Sequence, residues 1–322
     1  MLKDTEFVYA IARIRSNETK LLSSVTLENM INAPDYKDAL RILSEQGYKI
    51  SGDDAEEVLG ARLGEAFGLI CESAPEKSCL DFLLVRNDFH NIKAAIKCAV
   101  TGKEADEFAL SPCVLPFGDI VKSIKSKDYS ILPEPFMSAV KMGYELVTST
   151  MDGQALEIFL DRKCLEAMIY FAEKSGDEFS VKTANLLCGL ADLRIALRCL
   201  GTGKTTEFLK EAVCPCTLFA LDSLFDAFVG GKDSLLAFIK NIGFEKLSNA
   251  VLDGYAAFEK VCDDIVMESV KSAKFVSFGI APLVAYYFAV DAEVKTVRII
   301  LSCKKIGLDS EIIRERVRVL YV

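Results

Sequence analysis

At 322 residues, 51% of them hydrophobic and 26% charged, the chain is long enough for two or three ordinary domains with large apolar cores. Its formal net charge of −9 argues against nucleic acid as the main partner, because phosphate binding needs a cationic footprint. With His90 the single histidine, a multi-histidine metal centre or a histidine-based hydrolytic triad is impossible or strained.

The opening Met1-Leu2-Lys3-Asp4-Thr5-Glu6 is too charged for a secretory leader. The cysteines number eleven, an odd count, and several fall at helix-core positions where Cys acts as a small apolar residue. They read as reduced thiols of a cytoplasmic protein. Phe7, Ile11 and Ile14 give the first helix one apolar face. Leu27 to Gln46 reads as two short helices broken around Ala33-Pro34, with Gly47 as the stop.

A longer pattern begins at Phe82 and ends at Gly102. Val85, Phe89, Ile92 and Ile96 are spaced by four, three and four, which places them on one helix face as a buried seam. Pro112 and Pro116 close this unit. Pro133 and Pro135 then introduce what reads as one long helix from Phe136 to Lys174, despite Gly143 and Gly153. Within it Glu157 and Asp161 share a face by their i,i+4 spacing, as do Glu259 and Asp263 later in the chain.

The seam pattern returns from Thr183 to Gly203, with Leu186, Leu190, Leu193 and Leu197. It returns again from Tyr287 to Gly307, with Val290, Val294, Val297 and Leu301. Each copy has a cysteine at the same place (Cys98, Cys199, Cys303), and with Ala94, Ile195 and Ile299 these make a second apolar stripe. The copies start about a hundred residues apart, too far for a solenoid unit of roughly 20–50 residues. Three homologous helical domains are therefore expected, at 1–110, 111–212 and 213–322. The order Leu221 through Leu224, Leu236 and Ile239 to Gly243-Phe244 also echoes Leu27 through Leu43 to Gly47-Tyr48. Alternating strand-type runs are nearly absent, so the fold is expected to be all-α, with the three helical bundles in pseudo-threefold symmetry.

Several motifs are weaker than they look. Gly201-Thr202-Gly203-Lys204-Thr205-Thr206 resembles a phosphate-binding loop, but Arg198 stands at the first required glycine and the stretch follows a helix rather than a strand. Thr101-Gly102-Lys103 occupies the same place in the first copy, so a glycine helix stop with a lysine at the negative dipole end explains both. Cys214-Pro215-Cys216 has no His or Cys nearby in sequence, and no metal site is expected. Phe275 to Val290 carries no charge over sixteen residues, short of the ~20 needed to span a bilayer, and Gly279 and Pro282 interrupt it. It is expected to be core. His90 is placed on an outward face with Lys93 and Lys97. The Glu-x-x-x-Asp pairs read as solvated ion-pair faces rather than a general acid and base, since catalysis would need burial or crowding to split their pKa values.

What stays outward on the seam helices is basic: Lys93 and Lys97, Arg194 and Arg198, and Arg298. Together with Glu157, Asp161 and Arg162 these are the candidate partner-interface or inter-helix polar residues. No catalytic, cofactor-binding or metal-binding residue is expected.

Four segments resemble one family. They are Tyr9-Ala10-x-Ala12-Arg13-x-Arg15-x-x-Glu18-x-x-Leu21-Leu22, Asp88-x-x-Asn91-Ile92-Lys93, Glu157-Ile158-Phe159-Leu160-Asp161-Arg162, and the ending. The ending runs from Glu293 through Arg298-Ile299-Ile300 and Lys304-Lys305-x-Gly307 to Ile313-Arg314-Glu315-Arg316-Val317-Arg318. Their order and spacing are similar to those of the C-type subunits of the V-type and A-type ATPases, whose eukaryotic vacuolar equivalent is the d-type one. Departures occur: Gly189 stands where Asp88 does, and Asp192 and Thr296 stand at the Asn91 position. The resemblance implies a funnel of three helical domains without an active site. It would sit at the cytoplasmic face of the membrane proteolipid ring, receive the foot of the central shaft, and couple ATP turnover to proton or sodium transport. The expected partners are therefore shaft and ring, with no nucleotide and no nucleic acid. The competing readings are a generic helical scaffold and, more remotely, an enzyme using the carboxylate pairs.

Overall fold

The computed structural model describes residues 3–50, 55–104 and 106–322; Met1 and Leu2 of the charged opening lie outside the described residues. Among the described residues there are helices and turns and no strand. Helix α1 (Val8–Glu18) buries Ala10, Ile11 and Ile14, the face its periodicity predicts. Helices α2 (Ser24–Asn32) and α3 (Tyr36–Glu45) begin at Ser23 and Asp35, whose side chains accept backbone N–H bonds from Thr26 and Asp38. Gly47, at φ 93, turns the chain out of α3 as expected. Helix α4 is Glu56–Ser73 and α5, the first seam helix, is Val85–Thr101. Helix α6 is Phe117–Ser126.

The single long helix expected after Pro135 is two. Helix α7 (Phe136–Thr150) ends at Met151, which adopts a left-handed conformation at φ 55, and α8 (Gly153–Ser175) restarts from Asp152. The Asp152 carboxylate accepts from the N–H groups of Gln154 and Ala155. A strong N-cap two residues after the α7 terminus thus wins over apolar periodicity that continues across the break. Helix α9, the second seam, is Glu178–Gly201, followed by α10 (Thr206–Ala212), α11 (Leu221–Val229) and α12 (Gly231–Asn241). Then come α13 (Glu245–Asp253), α14 (Tyr255–Val270), α15 (Ala281–Lys305, the third seam) and α16 (Ser310–Arg316).

The expectation that Phe275 to Val290 is core holds only from Ile280 onward. Phe275 is 90% and Phe278 52% exposed, in the turn before α15. Pro282 does not interrupt a helix but stands in the first turn of α15, where its missing N–H costs nothing.

The chain divides into two compact units, Met1–Lys77 with Ile239–Val322, and Ser78–Phe238. In the first, α15 lies at the centre, packed against α4, α1, α3 and α14. Its seam residues Val290, Val294, Val297 and Leu301 are buried, as are Ala281 to Tyr286. The last residues are tied to this unit: Asp264 accepts the Val319 N–H at 2.7 Å, Arg318 Nε donates to Asp263 at 2.9 Å, and Tyr321 is buried. In the second unit α5 packs against α6, α7 and α8, and α8 packs against α9. Val85, Phe89, Ile92, Ile96, Leu186, Leu190 and Leu193 are buried, while Leu197 is only half-buried.

Candidate functional site: polar anchors and charged faces of the seam helices

The three seam helices end alike. Gly102, Gly203 and Gly307 are left-handed, with φ 72, 65 and 71. The N–H of the next residue returns to the carbonyl of the repeated cysteine: Lys103 to Cys98 (3.1 Å), Lys204 to Cys199 (2.9 Å) and Leu308 to Cys303 (3.0 Å). This is the Schellman closure, in which the residue after the left-handed one bonds back across five residues. It accounts for the fixed interval between cysteine and glycine. The stretch Gly201–Thr206 is therefore a helix terminus. Thr205 caps α10 through the Phe208 N–H, and Lys204 Nζ stands 4.7 Å from the centre of the Phe208 ring.

Polar side chains buried on the seam helices hold the segments that lead into other helices. On α5, Asp88 accepts the N–H groups of Leu115 (2.8 Å) and Val114 (3.2 Å). Asn91 makes a two-way pair with the Leu110 backbone, accepting at 2.7 Å and donating at 2.9 Å. These bonds fix the approach to α6. On α9, Asp192 accepts the Cys214 N–H (3.1 Å) and Asn185 that of Thr217 (2.7 Å), fixing the approach to α11. On α15, Glu293 accepts from the Leu22 N–H (2.6 Å), the Tyr48 hydroxyl (2.5 Å) and Arg62 Nε (3.5 Å), fixing the approach to α2. Asp88, Asn91, Asp192 and Glu293 are all 0–1% exposed. Burial disfavours a charge, so it pushes the Asp88 carboxyl up to about 6 against the pull of the Leu115 and Val114 N–H groups. It pushes Asp192, with fewer donors, up to about 8. The Tyr48 hydroxyl is raised by burial and by the neighbouring Glu293.

These anchors were only partly visible in the sequence. Asp88, Asn91 and Asp192 stand out as polar residues on apolar helices, and in register Glu293 falls at the Asp88 position. An acid recurring on a seam was the available signal; its partners, in loops far along the chain, gave none.

Four of the charged residues singled out above meet one another, and two more pair with acids outside that set. Lys93 on α5 lies 2.5 Å from Asp161 and 2.9 Å from Glu157 on α8, and Lys97 also pairs with Glu157. Burial would raise the Glu157 carboxyl, but hydrogen bonds from Lys97 and Lys93 outweigh it and hold the group below its usual range. Lys93 is correspondingly raised: the bonds to Asp161 and Glu157 outweigh its burial. A carboxylate held ionised between two ammonium groups is a poor proton donor, so this pair is a charge clamp between helices rather than an acid–base couple. Arg162 on α8 binds Glu166 (2.9 Å) and the Lys210 carbonyl (3.3 Å). Arg298 on α15 binds both carboxylate oxygens of Glu56 on α4, at 2.9 and 3.0 Å. Arg194 is half-buried and Arg198 exposed on α9, and His90 is exposed, with Nε2 3.2 Å from the Phe108 carbonyl.

Among the described residues no helix is long and apolar enough to cross a membrane. None of the eleven cysteines is joined in a disulfide.

The sequence pattern of the ATP synthase (C/AC39) subunit family matches residues 10–316. Over 317 residues the chain is 23% identical to the C-type subunit of the V-type sodium ATPase of Enterococcus hirae, covering 96% of this chain and 97% of that protein. It is also 23% identical over 344 residues to the C-type subunit of the A-type ATP synthase of Methanocaldococcus jannaschii, covering 96% and 85%. A shorter match, 28% identical over 117 residues, relates 34% of the chain to the C-type subunit of the V-type ATP synthase of Thermus thermophilus. With its helices, its anchors and nearly its whole length inside that pattern, the chain belongs to the ATP synthase (C/AC39) subunit family.

Proposed function

We propose that the chain is a non-catalytic central-stalk subunit of a rotary ATPase. It seats the rotor shaft on the membrane proteolipid ring and so couples ATP hydrolysis or synthesis to proton or sodium transport. The observation that carries this reading is the end-to-end match to relatives named as the C-type subunits of V-type and A-type enzymes. The chemistry of the chain supports it. Its buried acids bind backbone N–H groups, and Glu157 and Asp161 are engaged by lysines. Large apolar side chains remain exposed, among them Phe275, Phe278 and Tyr9, as a protein that docks onto others requires. The protein would work at the cytoplasmic side, peripheral to the membrane through the ring.

For its architecture we favour three repeats, 1–110, 111–212 and 213–322, around a pseudo-threefold axis in a funnel. The anchors support this arrangement. The first seam helix holds the entry to α6, the second the entry to α11, and the third the entry to α2, so the third copy treats the first as its successor.

The test is affinity purification of the tagged chain from its native membranes in mild detergent. Shaft and ring subunits of a rotary ATPase should be recovered with it in fixed proportion. Recovery of the chain without any ATPase component would favour the generic helical scaffold instead.

A further inference from the structure

The second seam helix departs from the other two. Where α5 has Asp88 and α15 has Glu293, α9 has Gly189, and the segment after Pro215 comes in against it. A Cβ on Gly189 would lie 2.5 Å from Leu218 Cδ2, 3.0 Å from Leu218 Cβ and 3.3 Å from Cys216 Sγ. The glycine is thus what lets Cys216 reach the helix. Cys188 precedes it, and Asp192 lies one turn beyond Cys188 on the same face. The sulfurs of Cys188 and Cys216 and a carboxylate oxygen of Asp192 all lie within 4.8 Å of one another.

Packing alone does not explain this cluster. Cys188 and Cys214 sit in an apolar group with Leu165, as buried cysteines commonly do. Asp192, however, is fully buried, and only its Oδ1 is engaged, by the Cys214 N–H; Oδ2 has no hydrogen-bond partner in the protein. A buried carboxylate oxygen left unsatisfied costs about 1–3 kcal/mol or more when charged, unless something else binds it.

We propose that Cys188, Asp192 and Cys216 form a binding site for a thiophilic divalent cation of the Zn²⁺ class. Two sulfur ligands and one oxygen select against Mg²⁺ and Ca²⁺, which take oxygen ligands, and in favour of a borderline-soft ion. With Zn–S bonds of ~2.3 Å, tetrahedral geometry separates two sulfurs by ~3.8 Å, so the two sulfurs need to approach by about 1 Å at most. The backbone N–H groups of Leu218 and Phe219 are directed at the Cys216 sulfur. Arg162 adds positive charge near Asp192. Both thiols bind the ion as thiolates, so their protons must leave for solvent when the ion enters. Affinity therefore falls as pH is lowered. The ion would join the segment before α11 to α9, a tie that α5 makes with Asp88 and Asn91 and α15 with Glu293.

The experiment uses the full chain under thiol reductant, first stripped with a chelator. It is titrated with Cd²⁺, followed by its sulfur-to-metal charge-transfer absorption, and with Zn²⁺ against a competing chelator dye. One equivalent should bind with thiolate absorption. Cys188→Ser, Cys216→Ser and Asp192→Asn should each weaken binding by roughly tenfold or more, and Cys113→Ser should leave it unchanged. Thermal melts of the metal-free variants verify that each is folded; Cys216, being half-buried, gives a readout even if the two buried sites tolerate substitution poorly. Absence of a stoichiometric site, or a site untouched by Cys216→Ser and Asp192→Asn, overturns the proposal.

Discussion

Glu293 ties together parts of the chain that are far apart in sequence: the backbone before α2, the tyrosine after α3 and an arginine on α4. Glu293→Gln keeps the size but removes the charge facing Arg62, and leaves one carboxylate acceptor as a donor against the Leu22 N–H or the Tyr48 hydroxyl. It should lower unfolding free energy by about 1–3 kcal/mol, read as a shifted urea midpoint at unchanged slope. An unshifted midpoint would mean the network does not support the fold. Asp88 and Asp192 make a different prediction. Their folded-state values of about 6 and about 8 stand above the ordinary 3.8, so the folded protein binds more protons than the unfolded chain in between. The stability they contribute is fully present below the unfolded value and is lost as pH rises through about 6 for Asp88 and about 8 for Asp192. Glu157 and Glu166, which are lowered, act in the opposite sense, but only below their ordinary 4.5. The metal-free chain should therefore lose melting temperature between about pH 4.5 and 6, where both aspartates act in the same sense, and Asp192→Asn should make that loss shallower; above pH 6 the lowered Cys216 thiol opposes Asp192. At this scale the sequence showed which residues were unusual but not what they bind. Lys93 and Glu157 were each legible as one face of a helix, whereas their pairing depends on how α5 and α8 pack, which a single sequence does not encode locally.

Among the elements, the seam helices were the most legible feature, because a spacing of four, three and four repeated three times is the period of an α-helix and not of a strand or loop. Their common ending was legible too, since only glycine adopts the left-handed closing position without strain. The break between α7 and α8 was not. Met151 takes that left-handed position although it is not glycine, and the signal lay in Asp152, a capping residue overshadowed by the apolar pattern on either side. The exposed turn at Phe275 was missed because absence of charge was read as burial, and apolar side chains also serve at docking surfaces. Gly189 carries the sharpest prediction for an element. Gly189→Ala places a methyl group against Leu218 and Cys216, so the segment before α11 must move away from α9. The substitution should cost about 1–3 kcal/mol despite the better helix propensity of alanine. If it stabilises the protein, the close approach of that segment is not a feature of the fold.

For the molecule as a whole, an all-α chain with repeated seams belongs to the ATP synthase (C/AC39) subunit family across 10–316, and the function proposed above makes it a mechanical component. Its ionisable residues hold helices together: Lys93 and Lys97 clamp α5 to α8, and Arg298 clamps α15 to α4. Charge clamps exposed at their rims are worth only ~0–1 kcal/mol each in water, so on the proposed function most of the stiffness for carrying torque would come from the buried seams and their anchors. The central claim is coupling, and it is tested most directly in membrane vesicles carrying the rotary ATPase with and without this chain. ATP hydrolysis and ATP-driven ion uptake are measured together. The account predicts that vesicles lacking the chain retain ATP hydrolysis but lose ion uptake, and that adding the purified chain back restores uptake. Ion uptake that persists at full rate without the chain would contradict it.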